Sequence, residues 1–136
     1  MTRAIVLAAL TVLAGCSGAT DPTTPPAAAL AGTAWVQQGY DEARDALVLT
    51  AVDRLQGEVI GYAFGWDGVL TYRSFGWCAT PPLTFFDVEG TWRPLPAAHL
   101  ELSYPGMLPE SPVVYEVVQR TATALLLRPV PPVDQE

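Results

Sequence analysis

One histidine, two cysteines, four serines and a short run of carboxylates are the side chains of this 136-residue chain that could do covalent or acid–base chemistry. His99 could assist a serine nucleophile, and the nearest serine is Ser103. Two strand residues four apart face the same way but stand about 13 Å apart, beyond hydrogen-bond reach. None of Ser17, Ser74, Ser103 and Ser111 lies in a Gly-x-Ser-x-Gly elbow. Asp41, Glu42 and Asp45 could supply the paired carboxylates of glycoside hydrolysis. With Arg44 among them they read as a solvated face. No Cys or His pair has chelating spacing, so neither a metal nor another cofactor is expected. No glycine-rich phosphate loop is present. The chain does not read as an enzyme.

The cysteine with the clearest chemistry is Cys16. Met1-Thr2-Arg3 gives a positively charged start, and Ala4 to Leu13 is an almost wholly apolar run of ten residues. That is too short to cross a bilayer, which needs about 20, but it suits the apolar region of a signal peptide. Leu13-Ala14-Gly15-Cys16 then resembles a bacterial lipobox. Cleavage between Gly15 and Cys16 would leave Cys16 as the acyl-bearing residue, with a diacylglycerol thioether and fatty chains such as palmitate. Residues 1–15 are thus expected to be a lipoprotein signal peptide. The acyl chains would hold the protein on a membrane, for good if there are two or three. Ser17, not Asp, follows the cysteine. In a Gram-negative host this favours the periplasmic face of the outer membrane.

Lipidation of Cys16 leaves Cys78 without an intrachain partner. Cys78 is then either buried and inert or a reactive thiol, and only Arg73 is near in sequence to lower its pKa. Cleavage removes Arg3, leaving six Arg and no Lys against fourteen acids, a side-chain charge of −8. Such a chain lacks the clustered cations that nucleic-acid binding requires.

Residues 16–31 hold the lipidated cysteine and a Pro/Thr/Ala-rich stretch without periodicity, expected to be a flexible tether. All thirteen aromatic residues lie between Trp35 and Tyr115. Residues 32–128 are therefore the domain, and 129–136, with three prolines in four residues, a tail.

Within the domain the pattern is β. Thr33 to Gln38 alternates until Gly39; Ala46 to Val52, Glu58 to Phe64 and Val69 to Phe75 follow. Asp67-Gly68 between two such runs is a hairpin signal. Leu83 to Val88, Gly90 to Arg93, His99 to Tyr104, Val113 to Arg120 and Ala124 to Arg128 complete the set. A helical turn is conceivable only over Tyr40 to Leu47. Short, closely connected strands point to an all-β domain, a small antiparallel up-and-down barrel of about eight strands, with a sandwich as the alternative.

Gly32-Thr33-Ala34-Trp35 is similar to the Gly-x-Trp signature that opens the lipocalin family, with one extra residue. Ala124 to Arg128 resembles that family's closing strand. The resemblance implies a lipocalin-like barrel in which Arg128 covers Trp35 by a cation–π contact, closing one end. It also implies carriage of a small apolar ligand.

Nine aromatic residues crowd between Tyr62 and Trp92. Tyr62, Phe64 and Trp66 share strand parity and should face one side. With Trp77 they are the candidate contacts for a small apolar or aromatic molecule. The competing reading is a small barrel filled with its own side chains. The expected function is non-catalytic binding of such a molecule by a membrane-anchored lipoprotein. The alternative is an envelope interaction or inhibitor-like module, acting on a protein partner through the barrel loops.

Overall fold

A computed structural model describes residues 27–76, 82–105 and 112–132. The expected signal peptide, Cys16, Trp77 and Cys78 lie outside the described residues, as do most of the expected tether and the last residues of the tail.

Eight antiparallel strands close into a barrel: β1 (Thr33–Asp41), β2 (Ala46–Val52), β3 (Gly61–Phe64), β4 (Val69–Phe75), β5 (Phe85–Leu95), β6 (His99–Ser103), β7 (Val113–Arg120) and β8 (Ala124–Val130). The all-β, eight-stranded antiparallel barrel is thus formed. From β3 to β8 each strand lies beside its successor. The exception is β2, which sits between β1 and β8, so that β3 pairs with β1 instead. The chain from 53 to 60 therefore crosses β1 to reach β3.

Several runs sit differently from the sequence pattern. Gly39 does not end β1. The strand continues to Asp41 through a bulge between Gln37 and Gly39, where an extra residue is absorbed. Tyr40 to Leu47 is no helix: Tyr40 and Asp41 end β1, and Ala46 opens β2 across a turn. Only the last four residues of Glu58 to Phe64 are strand. Leu83 to Val88 and Gly90 to Arg93 merge into one strand of eleven residues, β5. The Asp67-Gly68 hairpin forms as read. Gly68 has φ 81°, and Asp67 Oδ1 accepts the Val69 N–H at 3.1 Å.

Alternation puts Trp35, Leu49, Phe64, Leu70, Trp92, Leu100, Leu102, Leu125 and Leu127 into one interior cluster. One end of it is stoppered. A 3₁₀ turn, η1 (Ala28–Leu30), precedes β1, and Ala27 and Leu30 have no exposure at all. The last residues of the expected tether thus belong to the barrel, because Leu30 fills the space that inward side chains of the strands leave at that end. The turn is fastened by side chains. Trp35 Nε1 donates to Thr33 Oγ1 at 2.7 Å, and that hydroxyl donates to the Leu30 carbonyl. Arg120 Nη2 donates to the Ala29 carbonyl at 3.1 Å.

Leu30→Ala should cost about 2–5 kcal/mol by emptying this space. Trp35→Phe, which removes one hydrogen bond and some volume, should cost about 1 kcal/mol or somewhat more. Chemical denaturation midpoints of the two variants will show whether the larger loss belongs to Leu30.

Candidate functional site

The other end of the interior is lined by phenols. Tyr62 on β3 stands opposite Tyr72 on β4, and both point inward. Their rings stack at 5.1 Å, and Tyr72 stacks in turn on Tyr104, just beyond β6, at 4.4 Å. Tyr115 enters from β7, opposite Leu100. Deeper in, Phe64 meets the edge of Trp92 at 5.2 Å, and Trp92 Nε1 donates to the Gly65 carbonyl at 2.9 Å.

Burial falls off along this group. Tyr62 is 4% exposed, whereas Tyr72, Tyr104 and Tyr115 are half-buried although they face inward. These inward side chains that water still reaches lie toward the end of the barrel away from Leu30. Burial pushes the Tyr62 hydroxyl well above its ordinary range, and the neighbouring Tyr115, Tyr104 and Tyr72 push the same way. Burial, with Tyr72 and Tyr115 alongside, raises Tyr104 to about 12. Tyr115 is raised as well, chiefly by burial. All are neutral near pH 7, so this end offers aromatic faces and hydroxyl groups that donate and accept, without charge.

The candidate contacts are not gathered into one pocket. Tyr62 and Phe64 do share a face, their rings 6.4 Å apart, but Phe64 is core, at 1% exposure. Trp66 leaves that face because β3 ends at Phe64 and the turn begins at Gly65. It stands 84% exposed at the stoppered end. There its indole lies over Gly32, whose φ of 77° and missing side chain make the room; a Cβ would overlap the ring. Trp77 lies outside the described residues.

The expected Trp35–Arg128 pair is not brought together. Trp35 is opposite Ala51 on β2, while Arg128 follows Leu127, the partner of Leu47, so the two sit toward opposite ends of the barrel. Arg128 shares the face of its cross-strand partner Glu116 and pairs with it at 3.0 Å, while its Nε donates to the Arg44 carbonyl. The Trp35 indole is spent on Thr33 instead.

Tyr72, Tyr104 and Tyr115 were not singled out from sequence, though signals for two of them existed. The Asp67-Gly68 hairpin sets Tyr72 opposite Tyr62, and Tyr104 continues the Leu100, Leu102 parity of β6. The remaining reactive side chains are occupied locally. Asp41 Oδ1 accepts the Arg44 N–H at 3.1 Å, Asp45 engages the Tyr40 hydroxyl, and the His99 ring nitrogen Nδ1 lies 3.1 Å from the Pro96 carbonyl. No group of three or more His, Cys, Asp or Glu among the described residues could hold a metal.

Comparison with protein-family models, with curated proteins and with solved structures returned no match for this chain.

Raised phenol pKa values have a thermodynamic consequence. A group whose folded pKa exceeds its unfolded value of about 10 contributes stability below that pH and loses it as pH rises through the folded value. Stability should therefore fall between pH ~10 and the folded value, about 12 for Tyr104. Tyrosinate absorbance should show a step in that range which Tyr104→Phe removes. An unshifted titration of all five tyrosines would contradict the burial of this end.

Proposed function

We propose that this chain is a lipid-anchored bacterial envelope protein whose barrel binds a small apolar or aromatic molecule, without catalysis, at its tyrosine-lined end. The observation that carries the reading is the asymmetry of the interior. One end is stoppered by Leu30, and the other presents Tyr72, Tyr104 and Tyr115 inward yet half-exposed, above Tyr62. A flat ring could stack on these phenols, with their hydroxyls meeting whatever polar atom it bears. Of the contacts expected from sequence the proposed site keeps Tyr62 and adds Tyr72, Tyr104 and Tyr115; Phe64 is core, Trp66 is at the other end, and Trp77 lies outside the described residues.

Anchoring rests on sequence: Arg3, the apolar run and Leu13-Ala14-Gly15-Cys16. In a Gram-negative host the protein would sit on the periplasmic face of the outer membrane. The lipocalin resemblance rests on Gly32 to Trp35 and Ala124 to Arg128; eight antiparallel strands in a closed barrel support it, while the placing of β2 between β1 and β8 departs from a simple meander. Carriage of a small apolar ligand is the role that resemblance favours.

Two measurements test this. Cys16→Ala should release the protein from the membrane fraction; a variant still sedimenting with membranes would end the lipoprotein reading. Native mass spectrometry of wild-type protein, gently extracted with its acyl chains counted, should show an additional mass of a few hundred daltons that dissociates on activation. The same extract of Tyr72→Ala should carry much less of it. A bare protein mass in both would count against carriage.

A further inference from the structure

Among the described residues the barrel wall has a gap one strand wide between the ends of β1 and β4. β3 has four residues, whereas its neighbours β1 and β4 have nine and seven. Pairing of β1 with β3 stops at Val36–Gly61, with one further bond from the Gln37 N–H to the Ile60 carbonyl at 2.8 Å. Pairing of β4 with β3 stops at Gly61–Arg73. Beyond these points Gln38 to Asp41 on one side and Ser74 and Phe75 on the other have no strand of the described residues between them. Gln38, Gly39 and Tyr40 are exposed. A groove of about 430 Å³ occupies the place, bounded by Gln38 and Gly39, by Val59 and Ile60, and by Phe75 and Phe85.

Both the backbone and the side chains of this groove are unfinished. Unpaired strand edges are templates for another strand. Of the five large apolar side chains exposed among the described residues, four (Tyr40, Phe75, Leu83 and Phe86) stand at this end of β1, β4 and β5. The charge at the groove is one-sided. Glu58 is the charged residue among those lining it, Asp41 ends the unpaired stretch of β1, and the nearby Arg73 is held by Asp87 at 2.8 Å.

We propose that this vacancy is a docking site for an extended segment of a partner protein, in which apolar residues alternate with Lys or Arg. The segment would continue the line of β3. Its backbone would bond to the free edge of β1, its apolar side chains would meet Phe75, Phe85 and Ile60, and its cations would face the acidic flank. A second copy of this chain is disfavoured as occupant, because it brings the same acidic edge and the same net negative charge. The site is separate from the tyrosine-lined end, so it stands or falls independently of ligand carriage.

The test is to pan a random peptide display library against the full chain in detergent micelles. Enriched peptides are then titrated with hydrogen exchange as the readout. Alternating apolar and cationic sequences should be enriched, should slow exchange of the amides of residues 38–41 and 74–75, and should bind more weakly as salt rises. Gln38→Pro, which disturbs the unpaired stretch of β1, and Phe75→Glu should each weaken binding by about tenfold or more. Phe85→Asp serves as a rim variant if a melting curve shows that Gln38→Pro is misfolded. No enrichment, protection elsewhere, enrichment of neutral or acidic peptides, or affinity unchanged in these variants would each overturn the proposal.

Discussion

The short relay from Trp35 through Thr33 to Leu30 is the contact on which the rest of the barrel depends. A closed antiparallel barrel removes its sticky edges but leaves two open ends, and a small one must fill or cover them with its own residues. Here the chain entering the barrel does so before the first strand begins. Leu30 and Ala27 are driven in by apolar burial, and Trp35 Nε1 and Thr33 Oγ1 satisfy the polar backbone that such a turn brings with it. With that end occupied by hydrocarbon, the polar-tipped aromatics are left to the opposite end, where water can reach them.

The tyrosines make the distinction between core and site a graded one. Phenylalanine or leucine at Tyr72, Tyr104 and Tyr115 would extend the apolar cluster to the rim. Phenols keep the apolar faces while tolerating solvent at the tip. Burial suppresses ionisation of Tyr62, Tyr104 and Tyr115 inside a strongly acidic protein.

The crossover from β2 to β3 has a different consequence. Because the chain must pass over β1 before it can begin β3, residues 53 to 60 are used for the crossing and β3 is reduced to four residues. Among the described residues the gap between β1 and β4 follows from that economy of chain, and the exposed Phe75 stands beside it. A pure meander of the same strands would have paired these edges.

Much of this was legible in the residues. Alternation identified the strands and their inward faces, because a pleat places neighbouring side chains on opposite sides. Asp67-Gly68 located a hairpin, because its geometry demands a backbone that glycine adopts readily. The order of charge, apolar run, small residues and Cys16 is of a kind that processing enzymes read chemically, so export and lipidation are expectations that rest on sequence. What local pattern could not encode was which strands become neighbours. Placing β2 beside β8 rather than β3, turning Leu30 from tether into stopper, separating Arg128 from Trp35 and drawing Tyr104 and Tyr115 to Tyr62 all depend on contacts between residues far apart in the chain. Those are decided when the sheet closes, because only then does each inward side chain meet the space that the others leave.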